Sequence, residues 1–127
     1  MAICGESSEG IIPLVKDLNQ NSPWFWKFPG GRGEKGESPG QTAIREYAEE
    51  TGLEVNESDL QKVFEEERRN DYFTLYYTRL PRVTGLQPRV IEGEKIQIST
   101  FTRQQIIAMG EEFFGPHLRV AKIAGIL

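Results

Sequence analysis

Apolar and polar positions along this 127-residue chain change their spacing from one segment to the next, and the changes mark out elements. Gly10 to Asp17 (GIIPLVKD) is a short apolar run between a Gly/Ser-rich turn and a polar stretch. It predicts a strand, with Pro13 pointing to an edge or a bulge. Met1 to Cys4 adds a stub. Trp24 to Phe28 (WFWKF) is aromatic and β-prone, and it breaks at Pro29, Gly30, Gly31 and Gly33, so a strand feeds a glycine-rich loop. Ser38-Pro39-Gly40-Gln41 then places a capping hydroxyl, a proline at the first helical position and a glutamine three residues after the cap. These three signals start a helix at Pro39, which runs to Thr51 and stops at Gly52.

Leu60 to Glu66 and Tyr72 to Leu80 (YFTLYYTRL) predict two strands joined as a hairpin. Pro81 to Gly93 is rich in proline and glycine and reads as a loop. Lys95 to Phe101 (KIQISTF) alternates like a half-buried strand. Two short helices close the chain, Arg103 to Met109 and, after Gly115-Pro116, His117 to Ala124. No repeat or low-complexity segment interrupts this order, and the length suits one domain, residues 1–127, with one core.

Composition narrows the function classes. Apolar residues make up 38% and charged residues 27%, with a formal net charge of −4, so nothing draws the chain toward a nucleic acid polymer. No run reaches the roughly 20 apolar residues of a membrane span, and MAICGESSEG lacks the layout of a signal peptide. The expected address is cytoplasmic, with no membrane partner. Cys4 is the sole cysteine and His117 the sole histidine, which excludes an internal disulfide and a zinc knuckle.

The candidate chemistry sits on the first helix. Glu46, Glu49 and Glu50 are spaced i, i+3 and i+4, which puts three carboxylates on one face. Like charges at this spacing repel unless a cation lies against them. A hard divalent ion such as magnesium suits oxygen donors, and it binds one or two carboxylates together with phosphate oxygens. Arg45 stands four residues before Glu49 and can hold a carboxylate in place, and Glu37 can reach the same region. Ala43, Ile44, Tyr47 and Thr51 form the opposite face, which docks inward.

Gly31, five residues, Glu37, seven residues and then Arg45-Glu46-Tyr47-Ala48-Glu49-Glu50-Thr51-Gly52-Leu53, preceded by Phe28-Pro29-Gly30, resemble the signature of the Nudix hydrolases. Tyr47 departs from the pattern, which has an aliphatic residue there. The larger ring needs room beneath the helix, and its hydroxyl needs a partner or an exit to water. The resemblance implies an α/β/α sandwich with a mixed β-sheet. It also implies Mg2+- or Mn2+-dependent hydrolysis of a nucleoside diphosphate linked to another group, by attack of water on phosphorus, with a small nucleotide-like substrate as partner. Carried over by position, Glu46, Glu49 and Glu50 are metal ligands, with the carbonyl of Gly30 as a further one. The base is shared among candidates. Glu46 and Glu49 lie on the helix, and Glu94 is favoured over Glu92 as a distal glutamate that completes the metal and catalytic set. A homodimer stays open.

Each of these readings has a plainer rival. The glutamates are a solvated helix face unless the glycine loop and cap give them a context, which here they do. The Gly30–Gly33 loop is a tight turn or a close approach to phosphate, and within it Arg32 is a candidate substrate-binding residue. Trp24 and Trp26 alternate, so core packing and base stacking stand level, and both are kept as substrate candidates. Tyr76 is a weak stacking candidate on a strand whose aromatics are mostly core. Arg68 and Arg69 could meet substrate phosphate, although solvated turn charges are the better reading. His117 is structural. Two rival classes remain: an idle Nudix-like module that binds a nucleotide or protein, and a calcium-binding helix-loop unit. The second fails for want of an Asp-rich loop. No sequence feature selects among ADP-ribose, NADH, coenzyme A or dinucleoside polyphosphate substrates, and a nucleoside triphosphate stays open.

Overall fold

In the computed structural model, which describes residues 1–18, 24–70, 72–81, 83–87 and 95–127, the strands form two sheets. β1 (Ala2–Ser7) and β2 (Ile12–Asp17) precede α1 (Pro39–Thr51), followed by β3 (Gln61–Glu67), β4 (Tyr72–Leu80), β5 (Ile96–Phe101), α2 (Arg103–Ala108) and α3 (Gly115–Ile123). β1 runs parallel to β4, and β3 pairs antiparallel with the other edge of β4, giving a mixed sheet in the order β1-β4-β3. β2 and β5 form an antiparallel pair. Pro13 lacks an N–H and sits in this two-stranded ladder, where edge positions tolerate it.

Strand alternation divides the core. Ala2 and Cys4 of β1, with Phe73 and Leu75 of β4, join a large cluster that includes Ile106 of α2 and Val120 and Ala121 of α3. Ile3 turns the other way onto Ala43 and Tyr47 of α1, where Tyr76 also packs. The mixed sheet therefore has α1 on one face and α2 and α3 on the other, the α/β/α sandwich that the resemblance implies. Side chains of this size contribute about 1.5–3 kcal/mol each when fully buried, so these two clusters hold the helices to the sheet. Arg103 fastens the C-terminal segment. It donates to both carboxylate oxygens of Glu6, at 2.7 and 2.8 Å, and to the carbonyl of Ile126 at 2.7 Å.

Two elements differ from the sequence reading. The stub at Met1 to Cys4 is the full strand β1, because its partner β4 lies far along the chain and parallel pairing leaves no local sign. Trp24 to Phe28 is no strand. Only isolated bridges form there, Val15 with Lys27 and Trp26 with Phe113, so the aromatic run is tied to two different neighbours by a few backbone hydrogen bonds and joins no continuous ladder. The last helix also starts earlier, at Gly115. Among the described residues no helix is long and apolar enough to cross a membrane.

Candidate active site

α1 begins as its sequence predicts. Ser38 Oγ accepts from the Gln41 amide at 3.2 Å, and Gln41 Oε1 accepts from the Ser38 amide at 2.9 Å. At the other end Gly52 adopts φ 78°, a left-handed conformation, and donates to the carbonyl of Ala48. Between these caps the guanidinium of Arg45 is shared among several acceptors. Its Nε and Nη2 donate to the two oxygens of Glu37 at 2.7 and 3.0 Å, and Nη2 also donates to the carbonyl of Arg32 at 3.2 Å. Its Nη1 donates to Glu46 at 2.9 Å and to Glu49 at 3.2 Å. Glu37 takes further bonds from the Glu34 amide and the Thr42 hydroxyl, so the hub is anchored to the loop. The Arg45 bond, aided by that amide, holds the Glu37 carboxyl well below the usual carboxylate range.

The glycine loop lies against these carboxylates. A Cβ on Gly31 would stand 2.5 Å from the carboxyl carbon of Glu46, so only glycine lets that side chain close onto the loop backbone. A Cβ on Gly30 would collide with the carbonyl of Met1. Glu50 does not face outward with its neighbours as the helical spacing suggests. It is 8% exposed, and it accepts from the Gly30 amide at 2.7 Å. Burial pushes its pKa up to about 8, against the pull of the Gly30 N–H and the Lys27 charge.

Glu46 and Glu50 thus bracket Gly30 and Gly31, with Glu49 beside Glu46 on Arg45. No three Asp, Glu, His or Cys side chains converge on one point among the described residues. The donor set still fits a hard divalent cation, which needs only one or two carboxylates when substrate oxygens complete its shell. Glu50, buried with one amide partner, is a carboxylate that a nearby cation would keep ionised. Glu94 and Glu92 lie outside the described residues.

Two cavities open beside the loop. The larger, about 780 Å3, runs from Gly31, Arg32 and Pro39 to Glu65, Asn70 and Thr74. The smaller, about 240 Å3, runs from Gly30 and Gly31 to Lys27, Arg68, Phe73 and His117. Met1, Gly31, Arg32 and Tyr72 belong to both, so the two are continuous around the loop. Of the sequence candidates, Arg32 therefore stands in the wall of both cavities, one residue after Gly31, against which Glu46 packs. Trp26 does not. It packs edge-on against Phe101, beneath Lys16, in a separate groove with Met109 and Glu112. Tyr76 packs with Ile3 and Tyr47 below α1. Trp24, 48% exposed, lines a small hollow that shares Lys27 and Phe114 with the basic cavity.

Lys27, Glu65 and Asn70 have no sign in the sequence, and they stand with Tyr72 and with Arg68 and His117, whose plainer readings are a solvated turn charge and a structural residue. The first three carry no motif, and only the tertiary fold brings them to the loop. His117 is structural, as its position suggests, but also more. Its ring stacks between Phe28 and Phe73, at centroid distances of 5.6 and 5.5 Å, and Nδ1 accepts from the Phe28 amide at 3.2 Å.

Comparison with known proteins agrees with this arrangement. A family model described as the NUDIX domain matches residues 1–119. Among curated proteins, the chain is 44% identical over 48 residues to "Nucleoside diphosphate-linked moiety X motif 6" of Xenopus laevis, covering 38% of this chain and 22% of that one. It is 36% identical over 58 residues to "8-oxo-dGTP diphosphatase" of Proteus vulgaris, covering 46% of this chain and 51% of that one. The matches thus span about half or less of these relatives' own length. Among solved structures, one from a study of MutT of Aliivibrio salmonicida and Vibrio cholerae superposes with a TM-score of 0.63. It does so at 22% identity, covering 98% of this chain and 96% of the other, and so agrees in fold.

Proposed function

Because the chain belongs to the NUDIX domain family, we propose that residues 1–127 act as one hydrolase domain. With Mg2+ or Mn2+, it would cleave the diphosphate linkage of a nucleoside diphosphate joined to another group. The observation that supports this most directly is the placing of Glu46 against Gly31 and of Glu50 on the Gly30 amide, within a loop whose Gly31 lines both cavities. Glu46, Glu49 and Glu50, with the carbonyl of Gly30, are the residues that hold the cation. When bound, it lowers the pKa of a water and neutralises charge on phosphate oxygens.

The chain supplies the rest. Arg45 is a positioning residue, since its N–H groups are spent on Glu37, Glu46, Glu49 and the Arg32 carbonyl and leave Glu46 and Glu49 side by side. Glu46, against the loop, is the candidate to accept a proton from the attacking water, with Glu49 and Glu94 as the alternatives. Glycines at positions 30 and 31 let the Met1 carbonyl and the Glu46 carboxyl close onto the loop. Arg32 on the cavity wall meets the charge of the diphosphate. A nucleoside triphosphate belongs in any substrate panel, given the name of the Proteus relative.

Turnover of nucleoside triphosphates, ADP-ribose, NADH and dinucleoside polyphosphates, read as phosphate and pyrophosphate release with each metal, tests the reading. Glu49→Gln and Glu50→Gln are expected to stay folded and to lose about two orders of magnitude or more, beyond what indirect partners of a metal contribute. Glutamine at 50 retains an acceptor for the Gly30 amide and carries no charge to bury. Near wild-type rates in both would refute the assignment. Nucleotide binding without any turnover would favour the idle module.

A further inference from the structure

The smaller cavity has a chemical bias. Lys27, Arg32 and Arg68 bring three cationic side chains to its wall, and among the described residues no Asp or Glu side chain lines it. Arg68 Cζ lies over the Phe73 ring, 4.5 Å from the centroid, and the guanidinium is only loosely engaged by Glu66 at 4.0 Å. Lys27 approaches from the loop before Phe28, and its charge reaches both His117 and Glu50.

His117 adds a directed donor. It is 8% exposed and lies on the same wall. Nδ1 accepts from the Phe28 amide, so in the neutral ring the proton is on Nε2. Nε2 has no hydrogen-bond partner among the described residues. Burial first, then the charges of Lys27, the Met1 amino group and Arg68, hold the imidazole neutral, with its pKa pushed down to about 3. Every polar side-chain group named here, namely one ammonium, two guanidinium groups and one imidazole N–H, gives hydrogen bonds and takes none.

The larger cavity differs. Glu65, Asn70 and Thr74 offer acceptors as well as donors, beside the exposed ring of Tyr72. It can read an edge that mixes donors and acceptors, as a nucleobase does, whereas the smaller one suits oxygens that only accept. Gly31, against which the Glu46 carboxyl packs, lines both cavities.

We propose that the cavity of Lys27, Arg32, Arg68 and His117 is a phosphate subsite for phosphoryl groups beyond the scissile linkage. The preferred substrate is then a nucleoside triphosphate or longer polyphosphate, not a nucleoside diphosphate joined to a neutral sugar. This rests on the hydrolase reading above and assigns the direction in which substrate lies across the site. The nucleoside end occupies the Glu65–Asn70 side, and the distal phosphates occupy the basic side.

Two measurements separate the subsite from the activity. Calorimetric titration with inorganic tripolyphosphate in excess chelator should show saturable binding to the wild type, weakened about tenfold or more in the Lys27→Ala/Arg68→Ala double variant, as expected for two charge-assisted contacts. Lys122→Ala, which removes an exposed cation of α3 that lines neither cavity, is the charge control and should bind like the wild type. With Mg2+, the double variant should lose about tenfold more kcat/KM on nucleoside triphosphates than on ADP-ribose. Circular dichroism should show both variants folded. Equal tripolyphosphate binding by wild type and double variant, or an equal loss on both substrates, overturns the subsite. If the wild type hydrolyses neither substrate yet binds tripolyphosphate through Lys27 and Arg68, the hydrolase reading fails while the anion site stands.

Discussion

Tyr47 is the largest wholly buried side chain, and its hydroxyl has neither a hydrogen-bond partner among the described residues nor an exit to water. The oxygen presses toward Gly5, where a Cβ would lie 2.6 Å away. A buried hydroxyl left without a partner costs about 1–3 kcal/mol. Tyr47→Phe keeps the ring, removes the orphan and should raise stability by about 1 kcal/mol, read as a higher urea midpoint at unchanged slope. A lower midpoint would mean that the hydroxyl is bonded after all. The inward face of this residue is legible in the helical pattern; the state of its oxygen is not, because Gly5 and Leu80 approach it from distant parts of the chain. The same limit applies to Lys27 and Arg68. Each looks like an ordinary surface charge in sequence, and only their meeting at one wall gives them a chemistry.

At the scale of elements, α1 is legible almost to the residue because all its signals are local: a capping box, Pro39 at the first turn and Gly52 in the left-handed region. Ser38→Ala removes the bond to the Gln41 amide and should cost about 1 kcal/mol of stability, measured by chemical denaturation. A change within error would show that the Pro39 turn holds without the cap. β1 and the Trp24–Phe28 segment depart from their sequence patterns for opposite reasons. Parallel pairing with β4 has no sign near β1, whereas the aromatic run has the composition of a strand without a ladder to join. Composition reports what is buried, while pairing depends on partners far along the chain.

For the molecule as a whole, His117 ties three parts together: the Phe28 segment, Phe73 of β4 and Phe114 at the head of α3. Its pKa is pushed down to about 3 in the folded chain, from an ordinary value near 6.5. The unfolded chain therefore binds more protons between these values. Stability is full above pH 6.5 and falls as the pH drops toward 3, at up to about 1.4 kcal/mol per pH unit from this group. Glu6, lowered chiefly by its bond to Arg103, adds stability that is lost below the ordinary carboxylate range. Glu50, pushed up to about 8 by burial, acts in the opposite sense over this range in both proteins, so the readout is the difference: relative to the wild type, the urea midpoint of His117→Asn, whose side-chain oxygen can still accept from the Phe28 amide, should rise as the pH falls from 7.5 through 6.0 to 5.0. Parallel slopes would remove His117 as the cause. The backbone at the start of β1 is likewise joined to the reactive loop. The amino group of Met1 donates to the Gly31 carbonyl at 2.9 Å, the Gly31 amide donates back to Met1 at 2.9 Å, and Met1 lines both cavities. Any residue joined ahead of Met1 would turn this amino group into an amide and lead out beside both cavities.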